Sequence, residues 1–137
     1  RRRRLSQRPV LAPSDWPQCT ARRGELGARL EDAGLTLAYH HHMGTVVQTE
    51  DEVDRLMDSC DDTVSLLLDT GHLTFAGGDP VRAASRHADR IAHVHCKDIR
   101  RAVLAREAFG FGAVADANRI QNCLVFVPYR FACTSGV

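Results

Sequence analysis

Three apolar runs in this chain each end in a short cluster of polar residues, and the clusters follow one another at nearly regular intervals. His40 lies 29 positions before Asp69, and Asp69 lies 26 positions before His95. Such a spacing leaves room for one helix between successive strands, which is the pattern of a repeated βαβ unit. The strands of such a repeat are parallel and carry their terminal side chains to the same edge. The sequence therefore predicts an α/β fold with its reactive groups gathered at one edge of the sheet.

The length and composition of the chain exclude several classes of protein. Its 137 residues hold one domain with a single core, whereas a complete (β/α)8 barrel takes about 250 residues. A formal net charge of +1, with 26% charged residues, gives no support for a nucleic-acid partner. No apolar run approaches the ~18 residues of a membrane span. Five cysteines without a CxxC spacing indicate neither a disulfide framework nor a zinc finger, so a reduced, cytoplasmic setting is the simplest interpretation.

Capping residues predict three helices. The first spans about residues 15–33, and the second begins at the capping box formed by Thr49 and Glu52. The third follows Asp79 and Pro80. The apolar residues at helical spacing, which we expect to be buried, are Leu26, Leu30 and Ala33 on the first helix, Val53, Leu56, Met57 and Cys60 on the second, and Val81, Ala84 and Ala88 on the third.

Three strands are predicted, at about residues 35–41, 64–69 and 91–97. Alternate residues of a strand share a face. If one face of each strand points into a barrel interior, six side chains converge at the carboxyl ends of the strands: His40, His42, Asp69, His93, His95 and Lys97. His41 has the opposite parity, and we expect it to pack outward or against a helix.

Asp69 and His72 lie three positions apart at a strand end, and His95 comes from the next strand. A carboxylate oxygen with imidazole nitrogens suits Mn²⁺, Co²⁺, Zn²⁺ or Fe²⁺ and needs no thiolate. The alternative is structural, with Asp69 capping a loop and His72 on the surface. Spacing alone leaves both interpretations open.

The positions of four further residues predict the surroundings or roles of their side chains. Lys97 is either a substrate clamp or base, if it is buried, or one half of a surface ion pair with Asp98. We expect His93 to fill the barrel interior and to orient a neighbouring side chain. His87, on the third helix, is expected to be exposed, and Cys96 to be a small buried hydrophobic residue.

Three segments are specific enough to indicate a family. Residues 39–45 read YHHHMGT, residues 69–72 read DTGH, and residues 95–98 read HCKD. With these segments, residues 10–105 closely resemble the myo-inosose-2 dehydratases of bacterial inositol catabolism, within the xylose isomerase-like (apurinic endonuclease IV-like) barrel superfamily. The resemblance implies an incomplete (β/α)8 TIM barrel followed by a divergent tail at residues 106–137, and the run of arginines at the start predicts a disordered basic end at residues 1–9.

The same resemblance implies roles for individual residues. The implied metal ligands are Asp69 and His95, and His40, where a Glu usually ends the strand, is either a further ligand or a substrate contact. Apart from the resemblance, their position at the strand ends makes His72 and Lys97 candidates for catalysis by proton transfer. The resemblance implies a substrate contact for His72, and strand position makes His42 and His93 further candidates for substrate contact. One more carboxylate ligand normally comes from the last barrel strand, and no residue of this sequence matches it.

The activity that the resemblance implies is dehydration of 2-keto-myo-inositol (scyllo-inosose), a hydro-lyase reaction with Mn²⁺ or Co²⁺ as cofactor. The partner is then a small keto-inositol, with no nucleic acid and no membrane, and the sequence leaves a homo-oligomer open. A sugar isomerase or epimerase is the nearest alternative, because it would use the same enediolate chemistry. An inactive barrel fragment is the remaining alternative, since three strands expose two sheet edges.

Overall fold

A computed structural model describes residues 8–100 and the backbone of residues 124–126. In chain order the elements are α1 (Trp16–Asp32), β1 (Leu37–His40), α2 (Glu50–Ser59), β2 (Val64–Asp69), α3 (Thr70–Phe75), α4 (Pro80–Arg86), β3 (Ile91–His95), β4 (Lys97–Ile99) and β5 (Leu124–Phe126). None of the helices in these residues has the length and apolar character that crossing a membrane requires. The expected basic end at residues 1–9 and tail at residues 106–137 fall mostly outside the described residues, and those boundaries stay predictions.

The first three strands form one parallel sheet in the order β1-β2-β3. This arrangement confirms the predicted α/β fold with parallel strands and alternating helices, open as an incomplete barrel would be. β2 is the central strand, and in its ladder Asp69 lies opposite His95. β1 ends at His40, two residues short of the point where β2 ends at Asp69 in the shared register. The carboxyl ends of all three strands therefore meet at one edge.

The third strand is shorter than the predicted range of residues 91–97. β3 stops at His95, and Lys97 begins β4, which pairs antiparallel with β5. The cause lies in the side chain of Thr70, whose hydroxyl accepts the backbone N–H of Lys97 at 2.9 Å and donates to the carbonyl of Lys97 at 2.5 Å. These bonds draw the chain away from the β2 ladder and over the start of α3.

Helix α2 matches its prediction. The Thr49 hydroxyl accepts the N–H of Glu52, and the Glu52 carboxylate accepts the N–H of Thr49, so the capping box is complete. The residues at helical spacing are all buried and face β2 across the core: Val53, Leu56, Met57 and Cys60 on the helix, and Val64, Leu66 and Leu68 on the strand. One apolar face on each element is enough to form this core.

The buried face of α1 differs from the prediction. Leu26 and Ala33 are exposed, and Leu30 is half-buried. The buried residues are instead Trp16, Thr20, Gly24 and Gly27. The two glycines let the helix backbone approach the start of β2 closely, so the contact depends on the lack of a side chain, which hydrophobic periodicity does not detect.

We predict that Gly27→Ala destabilises the chain by about 1–3 kcal/mol. A Cβ at Gly27 would lie 2.5 Å from Oγ1 and 2.6 Å from the carbonyl oxygen of Thr63, so the backbone would have to move. Helix propensity alone predicts the opposite sign, because Ala is favoured over Gly by about 1 kcal/mol. Urea unfolding measures the change, with Ala28→Gly at an exposed position of α1 as the propensity control. A gain in stability for Gly27→Ala would contradict the close packing.

The last helix is shorter than predicted, and of its three predicted core residues only Ala84 packs, partly buried, against the core. Asp79 caps α4 through the N–H groups of Val81 and Arg82, but Val81 is 75% exposed. The buried positions are Ala83 and, one turn later, His87. The expectation that His87 is exposed is wrong, because its Nε2 lies 2.7 Å from Oδ1 of Asp54 on α2. The hydrogen bond to a carboxylate offsets the free-energy cost of burying this imidazole.

Candidate metal and active site

Asp69 occupies the junction between β2 and α3 and is fully buried. Its Oδ1 atom accepts the backbone N–H of His72 at 2.9 Å, so it caps α3, a helix that the sequence pattern did not reveal. The structural alternative is therefore half right: Asp69 is a cap, but His72 is only 2% exposed rather than on the surface. The other carboxylate oxygen, Oδ2, is left for other partners.

Four side chains surround Oδ2 of Asp69. The nearest atom is Nζ of Lys97 at 2.5 Å, followed by Nε2 of His40 at 3.2 Å. Nδ1 of His95 lies at 3.4 Å and Nε2 of His72 at 3.7 Å. Lys97 does not form the alternative surface pair with Asp98, because its side chain is only 9% exposed and lies against the buried carboxylate. Of the residues named from parity, His40, His95 and Lys97 thus lie around a single oxygen atom of Asp69.

His42 reaches the same place from the loop after β1. Its ring lies over that of His72, with 3.6 Å between the ring centroids. The turn that follows holds it, because the backbone N–H of His42 donates to the carbonyl of Val47 and the hydroxyl of Thr45 donates to the carbonyl of His42. Nδ1 of His42 lies 2.7 Å from the carbonyl oxygen of Met43. A carbonyl only accepts, so Nδ1 carries a proton, and in the corresponding tautomer the lone pair is on Nε2.

His93 and Cys96 do not take the expected positions. His93 is exposed, with its ring centroid 5.3 Å from that of His95, so it does not fill an interior. β3 is an edge strand of the described sheet, so no further strand of that sheet lies beside His93. Cys96 is half-buried rather than buried. A substrate contact by His93 stays a prediction.

The electrostatics of the site set the protonation states of its members. Burial by itself would raise the pKa of Asp69, but hydrogen bonds from Lys97 and the His72 backbone outweigh it and lower this pKa to about 2. Burial lowers the pKa of His72 to about 3 and also lowers the pKa of His40. At neutral pH the carboxylate is therefore ionised and these imidazoles are neutral. Metal ligands require those two states.

The donor atoms fit a divalent cation. One ligand atom from each of His40, Asp69 and His72 lies within 4.8 Å of the other two. Nδ1 of His95 is buried beside the same carboxylate and has no hydrogen-bond partner among the described residues. An ionised carboxylate with neutral imidazoles matches Mn²⁺, Co²⁺, Zn²⁺ and Fe²⁺ chemistry. Lys97 supplies the positive charge that balances Asp69 in this structure, and a cation would share or replace that contact.

Sequence reasoning missed two residues that support this site. Thr70 holds the backbone of Lys97 through its hydroxyl group, as described above. His41, expected to pack outward or against a helix, is completely buried, and its Nε2 accepts the backbone N–H of Asp69 at 3.1 Å. Their position was the only sign of this role in the sequence, because Thr70 directly follows Asp69 and His41 directly follows His40 at strand ends.

Comparisons with known proteins agree with this architecture. The family model described as xylose isomerase-like TIM barrel matches residues 5–129. The chain is 50% identical over 108 residues to the rhizopine catabolism protein MocC of Rhizobium meliloti, covering 77% of this chain and 33% of that protein. It is 48% identical over 103 residues to the inosose dehydratase of Halalkalibacterium halodurans, covering 74% and 34%.

A solved structure gives the same fold from a more distant sequence. The crystal structure of the probable 3-DHS dehydratase AsbF of Bacillus anthracis superposes with a TM-score of 0.61 at 14% identity. The match covers 88% of this chain and 43% of that one. The chain thus spans about a third of the length of the curated relatives it matches.

Proposed function

Because the chain belongs to the xylose isomerase-like TIM barrel family, we propose that it supplies the metal-binding edge of a dehydratase for 2-keto-myo-inositol. The observation that carries the proposal is the set of side chains around Oδ2 of Asp69, with one carboxylate, three imidazoles and one ammonium at the carboxyl edge of a parallel sheet. The similarity to proteins named inosose dehydratase supports the choice of substrate. Mn²⁺ and Co²⁺ are the proposed cofactors.

Dehydration of a keto-inositol needs three things from a site. A base removes the proton from the carbon next to the ketone, and the negative charge that develops on the ketone oxygen is stabilised. The β-hydroxyl, on the following carbon, then leaves as water after it receives a proton. A divalent cation held by Asp69, His95 and His40 or His72 would supply the stabilisation of the oxygen charge. The remaining tasks fall to other residues of the chain.

His42 is the candidate base and Lys97 the candidate acid. The Nδ1 proton of His42 faces the Met43 carbonyl, which leaves an Nε2 lone pair to accept a proton from carbon. The ammonium of Lys97 lies against Oδ2 of Asp69 and can donate a proton to the leaving hydroxyl. Neutral His72 lies between these two, 3.5 Å from Nζ of Lys97, where it can contact a substrate oxygen. A small polyol with several hydroxyl groups matches such a dense set of polar groups.

We predict that His42→Gln lowers the rate of dehydration about 10²-fold to 10⁴-fold without changing metal affinity, because it removes the basic nitrogen and leaves the atoms around Asp69 in place. The measurement uses the 137-residue chain with Mn²⁺ or Co²⁺, 2-keto-myo-inositol as substrate, and NMR to identify the product. His87→Gln is the matched control, because His87 is a buried histidine that pairs with Asp54 outside the site.

The products separate the proposed activity from its nearest alternative. Loss of water to a trihydroxycyclohexanedione supports the dehydratase. An isomeric keto-inositol, or interconversion of ketohexoses under the same conditions, supports a sugar isomerase or epimerase. Absence of both turnover and metal-dependent substrate binding by the wild-type chain would contradict the proposal.

A further inference from the structure

We propose that His41 is a positioning residue, which fixes Asp69 for metal binding by holding its backbone. The inference rests on the proposed metal site, since it assigns a role to the residue behind the central ligand. His41 does not face Oδ2 of Asp69, and none of the roles argued above uses it. Its contact is instead with the main chain of the residue that carries this oxygen.

The geometry of the contact defines the tautomer. The backbone N–H of Asp69 can only donate, so Nε2 of His41, at 3.1 Å, is the acceptor and the ring proton is on Nδ1. The ladder between β1 and β2 ends with the pair His40 and Leu67. The side chain of His41 therefore connects the two strands beyond their last backbone pair, at the level of the metal site.

Two bonds hold Asp69 from opposite ends of the residue. The His41 ring accepts its N–H, and the N–H of His72 donates to its Oδ1. The first bond fixes the backbone, the second fixes the carboxylate, and Oδ2 is held toward the cation position. Metal sites require ligand positions accurate to a few tenths of an ångström, so loss of either hydrogen bond should weaken metal binding.

The environment of His41 favours this role over simple packing. The residue is completely buried, and its Nδ1 has no hydrogen-bond partner among residues 8–100. Burying an unpaired donor is costly, and an apolar side chain would fill the same space without that cost. What an apolar side chain would lose is the acceptor for Asp69. The buried imidazole is therefore explained by the bond to the ligand residue.

The test compares His41→Leu, which fills similar space without an acceptor, with His41→Gln, which keeps an acceptor oxygen. We expect His41→Leu to weaken Co²⁺ binding about 10-fold to 100-fold, the usual effect of losing a residue that orients a ligand, and to change the visible absorption spectrum of bound Co²⁺. His41→Gln should restore both. His87→Leu is the matched control, because it also removes a buried, hydrogen-bonded imidazole and should lower thermal stability while leaving Co²⁺ affinity and spectrum unchanged.

A second measurement is independent of metal. Hydrogen exchange of the Asp69 amide, followed by NMR in the metal-free chain, should be faster in His41→Leu than in His41→Gln. If the Leu variant does not fold, His41→Asn takes its place, because its shorter amide cannot reach the Asp69 N–H.

Unchanged Co²⁺ affinity and spectrum in His41→Leu would overturn the inference. If the wild-type chain binds no Co²⁺, the proposed metal site fails, while amide exchange still decides whether His41 holds Asp69. Equal exchange in the Leu and Gln variants would overturn that holding role.

Discussion

Asp69→Asn is expected to weaken Mn²⁺ or Co²⁺ binding at least about a hundredfold, which corresponds to about 2.7 kcal/mol. The reason is that all nitrogen donors of the site surround one oxygen atom of this carboxylate, and an amide in its place carries no charge. The same substitution removes the anionic oxygen that lies 2.5 Å from the buried ammonium of Lys97. Removal of one member of a buried pair costs about 3–5 kcal/mol, so the unfolding temperature should fall as well.

Calorimetric titration with MnCl₂ measures the affinity, and the control is Asp58→Asn. Asp58 is an exposed aspartate on α2 that pairs with Arg86, away from the site, so its substitution should leave metal affinity unchanged. Equal weakening by both variants would point to non-specific attraction of cations. Retention of wild-type affinity by Asp69→Asn would remove Asp69 from the metal site.

Lys97→Met is expected to have opposite effects on the metal-free and metal-bound chains. In the metal-free chain it leaves the buried carboxylate of Asp69 without its nearest cation, 2.5 Å away, and should cost about 3–5 kcal/mol of stability. A divalent cation then meets no competing ammonium at the same oxygen. We expect metal affinity to rise at least about tenfold, equivalent to about 1.4 kcal/mol, while dehydration is lost with the proton donor.

Thermal unfolding with and without 1 mM Co²⁺ distinguishes these effects, because a ligand that binds only the folded state raises the unfolding temperature. The shift caused by Co²⁺ should be larger in Lys97→Met than in the wild-type chain. Arg82→Met is the matched control, since it removes the cation that pairs with the buried carboxylate of Glu50, outside the site. Co²⁺ should raise the unfolding temperature of Arg82→Met no more than that of the wild-type chain. An identical or smaller shift in Lys97→Met would show that Lys97 does not compete with the metal.

The features predictable from sequence are those set by local chemistry. The capping box and apolar spacing of α2 depend only on residues within that helix. Alternation along a strand places Asp69, His40 and His95 on one side, and parallel pairing then brings them together. The central part of the site follows from these two rules.

The remaining features depend on contacts between distant parts of the chain. Burial of His87 results from Asp54, which lies 33 positions earlier. The buried face of α1 results from glycines that meet the chain at Thr63. Parity placed His41 away from the site, yet its ring bonds to the main chain of Asp69. Hydrophobic periodicity and strand parity describe side-chain direction and do not describe hydrogen bonds to the backbone of a neighbouring strand.

We propose that a carboxylate and imidazoles of this chain jointly hold a divalent cation. Pulsed electron paramagnetic resonance of Mn²⁺ bound to the wild-type chain tests this coordination, because coordinated histidine produces nitrogen modulation of the signal. We predict one tightly bound Mn²⁺ per chain with nitrogen coupling, and loss of that signal in Asp69→Asn. A bound Mn²⁺ that shows coupling to water protons alone, or none bound at one equivalent, would contradict the claim.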